Sequence, residues 1–114
     1  MVKLEDLTFR LVESEFGISK ADVLSKKRIS ALIPARHCCY WIISKMSKRI
    51  DEKIATIFDR DRATIYHGRD KVEDLVDDYI RGNSRFMSRI DQRFAEKCWN
   101  IYMEIKTTEG VVFK

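Results

Sequence analysis

The chain has 114 residues, the length of one domain built on one core. Its 45% hydrophobic residues suffice for a packed interior, while 35% charged residues and a net charge of +4 favour an acidic partner. Three cysteines, two of them adjacent at Cys38 and Cys39, exclude a secreted disulfide framework. Residues 1–12 carry no signal-peptide pattern, and no apolar run approaches the roughly 18 residues that span a bilayer. A cytoplasmic location and no membrane partner are therefore expected.

One proline and four glycines punctuate the chain, which argues for an all-α fold with tight corners. The first helix is expected over about Leu4 to Phe16, with Leu4, Leu7, Leu11 and Val12 on one face and Gly17 as its stop. Ser19 and Asp22 form a capping pair for a short helix ending near Leu24. The stretch SKKRISALI follows, basic and without period. Pro34 suits the first turn of a long helix in which Cys38, Cys39, Trp41, Ile42, Ile43 and Met46 make a wide apolar face. Such a helix belongs at the centre of a bundle.

Asp51 is the expected cap of the next, short helix, which holds Ile54, Ala55, Ile57 and Phe58. Asp59 to Asp61 turn the chain. A helix from about Arg62 to Ile80 then shows Ile65, Val72, Leu75, Val76 and Tyr79 on its inner face, and Gly82 ends it. A last helix, residues 84–105, is expected to be capped by Asn83 or Ser84, with Met87, Ile90, Phe94, Cys98, Ile101 and Ile105 at intervals of three and four. The tail TTEGVVFK is compatible with a loose end or a short extended segment.

Residues 51–81 have the pattern of a helix-turn-helix. Ala55 is small enough for a close crossing, and Ile54, Phe58 and Ile65 tie both helices to the core. Arg62, Ala63 and Thr64 stand at the start of the second helix, where base edges are read. Arg62 can donate two bonds to guanine, and the methyl groups of Ala63 and Thr64 can meet a thymine methyl. Arg60 and Arg69 lie where phosphates would flank a groove, and the helix start itself attracts anions. His67 follows one turn later, as a phosphate contact or as a packed side chain. The competing account is a corner of this shape inside an ordinary bundle, its arginines facing water.

A second basic element precedes the corner. Lys20, Lys26, Lys27, Arg28, Arg36, Lys45, Lys48 and Arg49 crowd that stretch against a single acid, Asp22, and acids cluster again in EDLVDD, at Glu73, Asp74, Asp77 and Asp78. A basic loop beside a groove-reading helix suits the nucleic-acid backbone or a neighbouring minor groove.

Taken in order, GISKADVLSKKR, a helix opened by ARH, and IATIFDRDRATIYHGRDKVEDL resemble the C-terminal DNA-binding domain of the bacterial replication initiator DnaA. The resemblance runs from about Leu11 to Leu75. The entry pattern I-x-x-x-D-[LV]-L-S-K-x-R is met by Ile18, Asp22, Val23, Leu24, Ser25, Lys26 and Arg28, and the family's long-helix arginine by Arg36. The corner signature is met by Phe58, Arg60, Asp61, Thr64, Ile65, His67, Lys71 and Val72. The resemblance implies a helical bundle with a Trp-repressor-like helix-turn-helix, to which a C-terminal helix is added. It implies that Lys26, Lys27, Arg28 and Arg36 contact the backbone and that Arg60, Asp61, Arg62, Ala63 and Thr64 form the base-reading corner. Asp61 would cap the helix or accept a bond from cytosine.

The departures imply a different or less strict preference. Asp59 replaces two glycines, Arg62 a histidine, Ala63 a threonine, and Ser30 the family's minor-groove arginine. No G-x-x-x-x-G-K-[ST] occurs, so no ATP site and no cofactor are expected. The module resembles the family's DNA-binding part encoded by itself, as a phage or mobile element would carry it.

Other residues attract attention without carrying chemistry. His37, Cys38 and Cys39 are consecutive and point apart on a helix, so no metal is expected. No catalytic constellation stands out, and an enzyme is not expected. Trp99, Tyr102 and Met103 leave two accounts open: packing across the first helix, or an interface for a homodimer or a host protein. The expectation is thus a single domain, residues 1–114, that binds double-stranded DNA with sequence preference and regulates transcription or replication. The rival is a protein-interaction module or decoy that engages a host replication protein through the C-terminal helix. A purely structural dimeric bundle is a weaker third.

Overall fold

The computed structural model describes residues 1–49 and 51–113. Six helices follow in chain order: α1 (Leu4–Phe16), α2 (Lys20–Leu24), α3 (Leu32–Ser47), α4 (Asp51–Phe58), α5 (Arg62–Ile80) and α6 (Arg89–Thr107). Two short strands, β1 (Val2–Lys3) and β2 (Val111–Val112), pair in parallel with Val2 opposite Val111. The tail that the sequence left between loose and extended is therefore extended, and it closes against the first residues of the chain.

Local chemistry sets most helix ends. Gly17 stops α1 in the left-handed region at φ 70°, its N–H bonded to the Glu13 carbonyl. The Ser19 hydroxyl accepts from the Asp22 N–H and starts α2. Asp61 does the same for α5, accepting from the Thr64 N–H at 2.7 Å. The last helix departs from expectation. Ser84–Phe86 form only a 3-10 turn, and the cap is Ser88, whose hydroxyl accepts from the Asp91 N–H. Ser88 and Asp91 repeat the spacing of Ser19 and Asp22, and that signal overrides the earlier Asn83 and Ser84. Ile90, expected inside, is consequently 80% exposed, and the buried seam of α6 is Ala95, Cys98, Ile101 and Ile105.

The apolar centre is α3. Nine of its sixteen residues are buried, and it packs on α1, α2, α4, α5 and α6. A helix surrounded in this way must be apolar nearly all round, as its composition requires. Phe58, the last residue of α4, meets Tyr40 edge-on at 4.8 Å and Phe9 of α1 at 6.0 Å between ring centres. These aromatic contacts fix the end of α4, and so the start of the turn, relative to two other helices.

A close approach between α3 and α5 sets the angle at which α5 leaves the core. Gly68 is buried in mid-helix, and a β-carbon there would sit 2.8 Å from ring carbons of both His37 and Tyr40. Only a residue without a side chain fits this contact.

Candidate nucleic-acid interface

The corner between α4 and α5 is tight. Asp59 holds φ at 51°, in the left-handed region that Asp tolerates better than most residues. The Arg60 N–H bonds the Ala55 carbonyl at 3.0 Å, which reverses the chain before Asp61 caps α5. Arg62, Ala63 and Thr64 then stand exposed on the first turn of α5, and His67 is exposed one turn further on. Exposure removes the packed-side-chain account of His67, whose ring lies edge-on to Tyr66 at 5.3 Å.

The basic loop between α2 and α3 is bound directly to this corner. Lys26 pairs with the Asp59 carboxylate at 3.0 Å and also donates to the Asp59 carbonyl. Arg60 donates through Nη2 to the Ser25 carbonyl at 2.9 Å. Lys27, Arg28 and Ser30 of the loop, Arg36 of α3, and Arg60 and Thr64 of the corner together line one open hollow of about 380 Å³. Loop and helix start therefore share a single cationic face. Arg28 and Arg62 are exposed and make no ion pair among the described residues. Lys26 and Lys27 do make ion pairs, with Asp59 and Asp22, but each lysine side chain remains 59% exposed. Solvent-exposed pairs of this kind contribute little and exchange readily for another anion.

Arg36 has a different place from the one its motif implies. It is 7% exposed and points into the loop rather than out of it. Nε donates to the Val23 carbonyl at 3.0 Å and Nη1 to the Lys27 carbonyl at 3.0 Å. Nη2 donates to the carbonyls of Ser25 at 2.8 Å and Asp22 at 3.3 Å. Burial, followed by the nearby Arg60 cation, pushes its pKa down. The five-donor fork of arginine suits such a cluster of carbonyls, and no lysine could fill them all. Arg36 thus shapes the loop that carries Lys27 and Arg28.

Two other expected phosphate contacts are already spent. Arg69 forms a fork on Asp51, with Nε 2.6 Å from one carboxylate oxygen and Nη2 2.9 Å from the other, and lies over the Tyr66 ring. Asp51 is thus the first residue of α4 rather than its cap, and Arg69 binds the two helices of the corner together. The Arg69 hydrogen bond also holds the Asp51 carboxyl below the ordinary range, an effect that burial partly opposes. Arg49 pairs with Glu5 and donates to the Phe113 carbonyl, so it secures the two chain ends. Lys48 is exposed at the C-terminal end of α3, where φ is 56°, and does not line the cationic hollow.

Sequence reasoning passed over Gly68 and Tyr40, which set the pitch of α5 against α3. An isolated glycine in a helical pattern was the available signal. Among the described residues no group of three metal-ligating side chains exists, and Cys38, Cys39 and Cys98 are buried free thiols. No helix among them is long and apolar enough to cross a membrane.

An exposed helix start, a clamped basic loop and a tight corner define a helix-turn-helix with one cationic face. The family model described as the bacterial DnaA protein helix-turn-helix matches residues 6–72. The chain belongs to this family and carries its DNA-binding domain. Among curated relatives it is similar to the chromosomal replication initiator protein DnaA of Brucella abortus, 30% identical over 76 residues, covering 66% of this chain and 15% of that protein. It is similar also to the same-named proteins of Leptospira biflexa, 29% over 71 residues, and Rhodopseudomonas palustris, 29% over 76 residues. These cover 62% and 66% of this chain, and 16% of each relative. The chain thus matches only a small part of these relatives' length. No solved structure gives a significant match.

Proposed function

We propose that the chain binds duplex DNA with sequence preference and regulates replication or transcription, at sites related to those of the initiator family. The first turn of α5 enters the major groove, where Arg62, Ala63 and Thr64 meet base edges and Asp61 holds the helix start. Lys26, Lys27 and Arg28 lie on the adjacent sugar-phosphate backbone, with Arg60 between them and the groove. The observation that carries this reading is the shared hollow in which loop cations and Thr64 face the same way. We place the protein in the nucleoid and assign it no catalysis and no cofactor.

Mobility shift on random duplexes at two salt concentrations tests the reading. Strong binding that weakens steeply with salt supports it; salt-insensitive or absent binding rejects it. Selection of bound duplexes from a random pool then gives the site. An asymmetric site indicates a monomer, and a palindrome indicates a homodimer.

The rival, a module that engages a host protein through Trp99, Tyr102 and Met103, loses part of its basis. Tyr102 packs against Trp41 of α3 at 5.5 Å, and Trp99 stacks on Tyr102 at 5.4 Å. These rings serve the fold, and the packing partner is α3 rather than the first helix. Met103 stays 38% exposed, and the more exposed apolar residue of α6, Ile90 at 80%, lies at the opposite end of the helix.

A further inference from the structure

The first two turns of α6 bury Ala95 against the core and leave Ile90 and Arg93 outside it. They form one wall of an open groove of about 450 Å³, in the range of sites that bind small molecules or peptide side chains. Its apolar lining is Phe16 from the end of α1, Ile33 and Pro34 from the start of α3, Leu75 from α5, and Ile90 and Phe94 from α6. Ile90 is 80% exposed and Ile33 46%. Phe16 and Phe94 lie 6.0 Å apart at one end, with the Lys97 ammonium 5.1 Å from the Phe16 ring centre. Lys71, Arg93 and Lys97 also line the groove, against the single acid Asp91.

We propose that this groove docks an acidic amphipathic helical segment of a partner protein. Apolar side chains at helical spacing would fill the Ile33, Leu75, Ile90 and Phe94 surface, while flanking carboxylates meet Lys71, Arg93 and Lys97. The charge on the lining fixes the sign of the partner, and the apolar walls fix its amphipathic character. Duplex DNA fits less well, because phosphates satisfy the cations and leave the apolar walls in water. A second copy fits less well too. The densest acidic run among the described residues is in α5, where Glu73 is held by Trp41 and Lys45 and Asp77 by Arg81, while Asp74 and Asp78 stay exposed. The apolar residues beside them, Val76 and Tyr79, pack against their own core and leave these acids without a free apolar stripe of their own. The groove lies outside the surface proposed to read bases, although Ile33 and His37 line both hollows.

Fluorescence anisotropy with the whole chain tests the proposal independently of DNA binding. The probe is a labelled peptide of about 18 residues, five helical turns, with leucines at i, i+3, i+4 and i+7 and glutamates between. Controls are its scrambled sequence, a version with every Leu replaced by Ser, and a short random duplex. The peptide is expected to bind at least about tenfold tighter than either peptide control, and Ile90→Ser and Arg93→Glu should each weaken it about fivefold or more. Both positions are exposed, and unchanged melting temperatures would show that the fold persists. Equal binding of the controls would overturn the proposal, as would insensitivity to both substitutions. It would also fail if the duplex were the ligand weakened by Arg93→Glu while the peptide did not bind, or if light scattering showed a dimer abolished by Ile90→Ser.

Discussion

Replacing Arg36 by lysine separates holding the loop from touching phosphate, because the charge is kept and the fork is lost. Arg36 donates to four main-chain carbonyls, those of Val23, Lys27, Ser25 and Asp22. A lysine ammonium on a straight stem reaches one or two of them. Two lost bonds to a charged donor, at about 1.5 kcal/mol each, cost about 3 kcal/mol. For a chain of 114 residues, unfolding entropy near 2.1 cal/mol/K per residue makes 1 kcal/mol equal to about 4 °C, so Arg36→Lys should lower Tm by about 12 °C. The same variant should weaken binding to all duplexes and flatten the salt dependence, since Lys27 and Arg28 lose their fixed positions. Calorimetry and mobility shift at two salt concentrations provide the readings. A Tm within about 3 °C of the parent, with unchanged affinity, would refute the positioning role.

Other substitutions separate reading, gripping and support. Arg62→Ala should relax preference at one base pair by about 1–3 kcal/mol while leaving Tm unchanged, as measured by competition with single-base variants of the selected site. Lys27→Ala should instead weaken all sequences alike and reduce the salt slope by about one. Gly68→Ala should lower stability by about 1–3 kcal/mol despite alanine's better helix propensity, because the added carbon meets the rings of His37 and the buried Tyr40; urea melts check this. For the Asp51–Arg69 fork, the folded carboxyl is held below its unfolded value. Its stabilisation is therefore present above the ordinary carboxylate pKa of about 4 and lost as pH falls through the lower folded value. Asp51→Asn should accordingly be less stable than the parent at pH 7, and the difference should shrink on acidification in urea melts followed from pH 7 to pH 3.

Chain punctuation made the frame legible. Gly17, the Ser19–Asp22 pair, Asp61 and Gly82 each act within a few residues, so their effect can be read without tertiary information. Hence α1, α2 and α5 fall where the sequence places them, and α3 is the apolar centre its composition requires. The C-terminal helix was harder because two capping signals lie close together, and a downstream serine with an aspartate at the right spacing prevails. The site was legible as a composition of cations and not as a set of free ones. Arg49 and Arg69 look like Arg62 in sequence, yet their partners Glu5 and Asp51 lie 44 and 18 residues away. Ion pairs formed across that distance depend on how helices pack, which periodicity does not report. The same applies to Arg36, whose acceptors are carbonyls of a loop without pattern, and to Gly68, whose role exists only once α3 lies against α5.

The central claim is that the basic loop and the first turn of α5 engage one duplex together. Amide chemical-shift mapping during titration with a selected duplex measures this most directly. The account predicts that the largest changes fall in residues 26–30 and 60–67 and saturate at the same duplex concentration. Changes concentrated in α6, or loop and helix responding at different concentrations, would contradict it.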